Sequence, residues 1–187
     1  MASAITHFTV AAGLALAFTE SSRLRATLPR WAIPVTAGLF GAVPDLDTWI
    51  MLALEIPRGT LFSHRGIFHS PCFLTLLALA IAAVVARHRG PALPLAALWA
   101  CAAITHPLLD MLTDGGSGVM LLVPFSTERL FFPWRPIRVS PLSIARFFDR
   151  AGEILWSELP FCAAAIALGL CARAITPRAS VPPRSRA

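Results

Sequence analysis

The chain has 187 residues, of which 56% are hydrophobic and 14% charged, and its mean hydropathy is +0.68. An ordinary soluble domain carries about 25% charged residues, so the composition excludes a conventional soluble protein and places the chain in a membrane as one domain. The net charge of +6 does not point to nucleic acid. All sixteen basic residues are Arg, scattered between apolar segments with no basic stripe of interleaved aromatics, which leaves anionic lipid head groups as the counter-charge.

A membrane span needs about twenty mostly apolar residues. Taken in order, the chain predicts an all-α integral membrane protein with about five membrane-embedded helices. The first, 4–19, has no basic region before it and no convincing cleavage site at Ala17-Phe18-Thr19-Glu20, so it reads as a retained span. The second, 31–54, is interrupted by Pro34, Gly41 and Pro44-Asp45-Leu46-Asp47; proline removes an amide donor, and a broken helix frees backbone to face a cavity. The third, 68–86, opens on Ser70-Pro71, an N-cap followed by a proline at the first helical position. The fourth and fifth are 93–112 and 156–172. Between them, residues 113–155 begin with a turn at 113–118 and continue in apolar runs too short to span. They predict a re-entrant or interfacial lid with Trp134 and Arg135 at head-group level. Residues 1–175 then form one helical membrane domain, and the Arg/Pro/Ser tail 176–187 is expected to be disordered. Cys72, Cys101, Cys162 and Cys171 fall in apolar runs without C-x-x-C spacing and are expected to be small buried hydrophobes.

With five alternating spans, nine arginines (Arg23, Arg25, Arg30, Arg87, Arg89 and the four from Arg173 onward) share one side and seven the other, a bias that makes the first side cytoplasmic. The same alternation puts His7, Asp45, Asp47, His64, His69, His106 and Asp110 together at the opposite side. Ionisable residues at membrane depth are costly and mark function by default. Three central carboxylates cost roughly 8–10 kcal/mol on the translocon scale, comparable to the roughly 10–16 kcal/mol that a structural zinc site returns in small peptides.

Each piece of this set has local logic. His106 and Asp110 are four apart on a helix, so a nitrogen and an oxygen project from one face; without a metal, Asp110 would simply accept a hydrogen bond from a buried imidazole. Asp45 is placed to cap a turn or to bind, whereas Asp47 lies within the turn. His64 and His69 flank Gly66, which permits a tight turn. His88 in Arg87-His88-Arg89-Gly90 is excluded as a solvated loop residue. No H-E-x-x-H, G-x-S-x-G, Walker loop or dinucleotide fingerprint is present, so nucleophilic Ser or Cys catalysis has no support.

Thr6-His7, Pro44-Asp45-Leu46-Asp47, His64-Arg65-Gly66-Ile67-Phe68-His69-Ser70, Thr105-His106 with Asp110 and Thr113, and Pro124-Phe125-Ser126 with Arg129 resemble, in this order, the YdjM family of bacterial inner-membrane proteins, described as metal-dependent hydrolases. The resemblance covers about residues 1–135, with H-R-G-x-x-H-S its most specific element. It implies an inner-membrane location, a divalent-metal site and hydrolysis of an undefined substrate. A more distant similarity is to zinc-dependent phospholipase C and P1-type nucleases, which also run His, Asp, His, then His-x-x-x-Asp. This chain has no histidine after His106, so the later ligands of that three-metal set are missing.

The expectation is a multi-pass metal-dependent hydrolase of a phosphoester or lipid-linked substrate. Its metal ligands are the seven His and Asp residues named above. They suit one or two ions, zinc first, with manganese or iron also compatible. Asp45 or Asp47 would take a proton from water, and Arg65 and Arg129 would hold an anionic substrate group. Membrane lipids are the expected surroundings, and no protein partner is legible. The alternative is a non-enzymatic metal-binding or transport protein, although transport needs polar residues continuing across the bilayer, and the other halves of the spans are Ala, Leu and Val.

Overall fold

The computed structural model describes residues 1–176, and among them every regular element is helical. Seven α-helices follow in order: α1 (Ala4–Ala15), α2 (Ser22–Arg25), α3 (Ala32–Ala42), α4 (Leu46–Ala53), α5 (Pro71–Ala86), α6 (Ala92–Met111) and α7 (Ile144–Ile175). The tail expected to be disordered lies, from residue 177 on, outside the described residues.

Helix α1 is central. It packs on α3 along one side and on α7 along another, while α3 packs on α6 and α6 on α5. Small residues make these crossings close. A Cβ at Gly41 would stand 2.5 Å from the Ala11 Cβ and 2.6 Å from the His7 carbonyl oxygen, and one at Gly13 would stand 2.9 Å from the Ile166 amide nitrogen. Close backbone approach through small residues is how helices associate where lipid removes the hydrophobic drive between them. The shared core is correspondingly rich in alanine, including Ala37, Ala78, Ala82, Ala96 and Ala103. Phe40 stacks on Trp99 within it at 4.5 Å, and the Trp99 indole N–H donates to Thr36 Oγ1 at 3.0 Å.

Two of the expected spans, α6 and α7, are long and apolar enough to cross a membrane. The helical stretches Ala4–Phe18 and Pro71–Ala86 are apolar but shorter. Their starts are fixed by side-chain caps: Ser3 Oγ accepts from the Thr6 amide at 3.3 Å, and Ser70 Oγ from the Phe73 amide at 3.1 Å. At 16 residues α5 is about 24 Å long, against a hydrocarbon core of about 30 Å. The segment 31–54 is divided as its prolines suggest. Helix α3 ends at Ala42, a 3₁₀ turn occupies Val43–Asp45, and α4 restarts at Leu46. Helix α7 is longer than expected, with 32 residues, because the polar stretch before the apolar one is also helical and carries an Arg150–Glu153 pair at 3.5 Å on its surface. The segment expected as a lid is therefore non-helical only as far as Ser143.

The outer surface is apolar: Leu76, Val84, Leu93, Trp156 and Leu168 are all exposed. Contiguous apolar surface of this kind suits lipid contact. It also corrects the expectation for cysteine. Cys72, Cys101 and Cys171 are exposed on outward helix faces and Cys162 is half-buried, because the apolar side chains of this chain face outward as well as inward.

The non-helical segment after α6 folds over one end of the bundle. Thr113 bridges Ile137 in parallel and Val119 bridges Leu130 in antiparallel fashion. The Met120 amide donates to the Arg65 carbonyl at 2.9 Å, and the Ser140 amide to the Met1 carbonyl at 2.8 Å. Val119 and Ile137 are fully buried beneath this cover.

Candidate metal centre

Under that cover, the start of α1, the break between α3 and α4, the turn before α5 and the end of α6 converge. Their ionisable side chains form one cluster. His7 stacks on His106 with ring centroids 3.5 Å apart, and its Nε2 lies 3.4 Å from Asp110 Oδ1. His106 Nε2 is 3.3 Å from Asp45 Oδ1 and 3.1 Å from His69 Nε2. His69 Nε2 in turn is 3.7 Å from Asp110 Oδ2. The structure thus brings His7, Asp45, His69, His106 and Asp110 together directly, with Asp47 and His64 beside them. His7, His69, His106 and Asp110 are fully buried; Asp45 and His64 retain slight exposure.

The outer nitrogens of two imidazoles, His64 and His106, are hydrogen-bonded. His106 Nδ1 lies 2.8 Å from the Gly41 carbonyl oxygen, which can only accept, so Nδ1 carries a proton and Nε2 faces the cluster. His64 Nδ1 donates to Asp47 Oδ1 at 2.7 Å, leaving its Nε2 buried without a partner. His69 Nδ1 faces Asp47 Oδ2 at 3.1 Å, so its Nε2 too is directed inward. A histidine whose far nitrogen is fixed by a carbonyl or carboxylate is the arrangement found around bound metals. Asp47 accepts as well from the Arg65 amide at 3.2 Å.

The inner atoms are short of donors. Both Asp45 oxygens, both His7 nitrogens and His64 Nε2 are buried without a hydrogen-bond partner, as is His69 Nδ1 on the outer side, and Asp110 Oδ2 is met by an ion pair with Arg65 at 3.0 Å. Three overlapping groups, His7/Asp45/His106, Asp45/His64/His69 and His69/His106/Asp110, each have ligand atoms within 4.8 Å of one another. Asp45, Asp47 and Asp110 outnumber Arg65 and the N-terminal amine beside Asp110, so the buried cluster carries an excess of carboxylates. That excess fits a divalent cation, because a buried charge without a counter-charge is strongly unfavourable. These buried His and Asp groups could hold a metal ion, Asp45 being the carboxylate shared by two of the groups.

The two arginines read from the sequence as substrate contacts are engaged within the protein. Arg65 is 1% exposed; its Nε lies 3.0 Å from Asp110 Oδ2, and it donates to Thr113 Oγ1 at 3.0 Å and the Gly115 carbonyl at 3.3 Å. Its backbone is in the left-handed region, φ 64°, which turns the guanidinium inward. Gly66 next to it is irreplaceable on space alone, since a Cβ there would collide with the Leu61 carbonyl oxygen. Arg129 ties loops together, donating to Ser117 Oγ at 3.0 Å, Ser63 Oγ at 2.9 Å and the His64 carbonyl at 3.4 Å.

Sequence reading passed over Glu158. This side chain of α7 is buried, and its carboxylate accepts from Ser3 Oγ at 2.6 Å, Thr6 Oγ1 at 2.7 Å and the Ser3 amide at 2.5 Å. It anchors the start of α1, one residue before His7. The available signal was that Glu158 is the only charged residue between Glu153 and Arg173.

Residues 1–176 match the family model for YdjM inner membrane protein. The chain is 31% identical over 129 residues to inner membrane protein YbcI of Escherichia coli (strain K12), covering 65% of this chain and 74% of that protein. No solved structure matches. On a match that runs from the first residue through the end of α7, the chain belongs to the YdjM inner membrane protein family.

Proposed function

We propose that this protein is a multi-pass inner-membrane hydrolase that uses one or two divalent ions, zinc first, to cleave a phosphoester or lipid-linked substrate. The observation that supports the reading most is the orientation of the imidazoles: Nδ1 of His64 and His106 is hydrogen-bonded outward and that of His69 faces Asp47, while Nε2 of His106 lies 3.3 Å from Asp45, Nε2 of His69 lies 3.7 Å from Asp110 and Nε2 of His64 is buried without a partner.

A divalent ion bound there would lower the pKa of a water molecule toward neutrality and polarise a phosphoryl oxygen. His7, Asp45, His64, His69, His106 and Asp110 would hold it. Asp47 orients His64 and His69, and Arg65 holds Asp110 in place while offsetting part of its charge. Asp45 has neither oxygen hydrogen-bonded and borders an open cleft, so with one oxygen toward an ion the other is the carboxylate oxygen placed to accept a proton. Transport is less well supported. Beyond the cluster the core continues through Ala11, Ala15, Ala37, Ala78 and Ala82, with no polar path toward the other end among the described residues.

The test is elemental analysis of detergent-purified protein beside a His106→Ala/Asp110→Asn variant, followed by phosphate release from a panel of phosphoesters. One or two equivalents of metal, lost in the variant together with turnover, is the expected result. Absence of stoichiometric metal in the wild type, or turnover that survives in the variant, would refute the reading.

A further inference from the structure

Two clefts reach the His/Asp cluster from either side of one short segment, Ser140-Pro141-Leu142, and their chemistry differs. The first, about 370 Å³, has His64 and Arg65 at its inner end, with Arg58, Ser63 and Ser117 along its wall. The second, about 290 Å³, touches Asp45 and Thr48 and is walled by Ile5, Trp49, Phe147 and Phe148. Ser140, Pro141 and Leu142 line both, as does Met1, so a molecule can occupy the two at once. Thr48 joins them: it borders the apolar cleft while its hydroxyl lies 3.1 Å from His64 Nδ1, on the polar side.

The polarity is ordered. Arg58 stands exposed at the mouth of the first cleft, free to meet an anion, whereas Arg65 is committed to Asp110. Trp49 and Phe148 are exposed at the mouth of the second, 63% and 72%, as aromatic side chains facing a hydrocarbon surface would be. Asp45, whose oxygens are unpartnered, lines the second cleft and has a ligand atom within 4.8 Å of one on His64, which lines the first.

We infer that the two clefts together bind one anionic amphiphile, a phosphate monoester of a hydrocarbon chain, with its phosphate in the Arg58/Ser117 cleft and its chain in the Trp49/Phe148 cleft. The ester bond then lies at the partition, between His64 and Asp45. That this bond is the one cleaved rests on the hydrolytic reading above; the binding mode does not.

The test measures binding of inorganic phosphate and of butyl, hexyl and octyl phosphate to zinc-loaded protein in lipid nanodiscs. Equilibrium dialysis supplies the free concentrations, and empty nanodiscs supply the background. Affinity should rise along the alkyl series, by up to about fourfold for each methylene the cleft covers. Ala4→Phe, at an exposed position on the wall of the apolar cleft, should flatten the series and leave inorganic phosphate binding unchanged. Arg58→Gln should weaken every member by a common factor, about 10- to 150-fold for one charge-assisted contact. Equal affinities along the series in the wild type would overturn the inference, as would a series that Ala4→Phe does not flatten. Chain-dependent binding without phosphate release would leave the amphiphile site standing and remove the hydrolase. Release from a water-soluble ester with no chain dependence would do the reverse.

Discussion

Asp47→Asn tests the division of the cluster into anchoring and binding atoms. In the wild type one carboxylate serves His64 Nδ1 at 2.7 Å, His69 Nδ1 at 3.1 Å and the Arg65 amide at 3.2 Å. Asparagine keeps a single acceptor oxygen. If that oxygen serves His64, the new NH₂ faces His69 Nδ1–H, donor against donor, and the reverse placement moves the conflict to His64. One imidazole must then shift its proton to Nε2, the atom that faces the cluster, and is lost as a donor to metal until it shifts back. Loss of such an orienting partner typically costs 10–100-fold in metal affinity, about 1.4–2.7 kcal/mol. Asp45→Asn should cost more, because both Asp45 oxygens lack a hydrogen-bond partner and no arginine is paired with them. Zinc affinity measured by competition with a chromophoric chelator ranks the two variants. If Asp47→Asn loses as much as Asp45→Asn, Asp47 is itself a ligand. If it binds like the wild type, the Nδ1 contacts do not set the donor atoms, and the reasoning fails.

Arg65→Ala should destabilise the fold by about 3–5 kcal/mol, since it leaves Asp110 buried opposite an empty space; thermal unfolding in detergent measures it, and a change below about 1 kcal/mol would contradict the burial argument. Gly41→Ala forces α1 and α3 apart against Ala11 and the His7 carbonyl, for about 1–3 kcal/mol, and moves the carbonyl that fixes His106; both melting temperature and zinc affinity should fall. Asp114 lies outside the bundle, where burial alone would raise its carboxyl, but the Val139 amide at 2.8 Å and Arg138 at 2.9 Å hold it below the ordinary carboxylate range. A depressed folded pKa adds stability that is present above the unfolded value of about 4 and is lost as pH falls through the folded one. Asp114→Asn should therefore lower stability by up to about 1 kcal/mol at pH 7, and the difference should shrink as pH falls through the folded pKa, as read from urea melts across an acid series.

Legibility in the sequence followed periodicity. His106 and Asp110 were readable because a helix puts residues four apart on one face, and the break at Pro44 because proline cannot continue α3 into α4. The turn holding His64 and His69 was readable from Gly66. The direction of Arg65 was not, because it depends on a positive φ in a residue that is not glycine. Nor was the position of Asp47 between two imidazoles, since a carboxylate's partners come from a turn seventeen and more residues away. Helix α7 was read too short because its first turns are polar and lack the apolar run that marks a span. The cysteines were misplaced because burial habits drawn from water-soluble cores do not hold on a surface that is itself apolar.

Whether such a cluster works or merely braces the fold turns on its closure. A structural zinc site uses every donor and leaves no position open, whereas a catalytic one keeps a side free for water or substrate. Here three sides are closed: by the stack of His7 on His106, by Arg65 and Thr113 behind Asp110, and by Asp47 behind His64 and His69. The fourth side, toward Asp45 and His64, borders the two clefts and carries the unpartnered oxygens. A brace would gain nothing from that opening and would lose stability through the buried, unpaired Asp45. Its cost is understandable if the open side is where a substrate's phosphate and a water molecule meet the cluster.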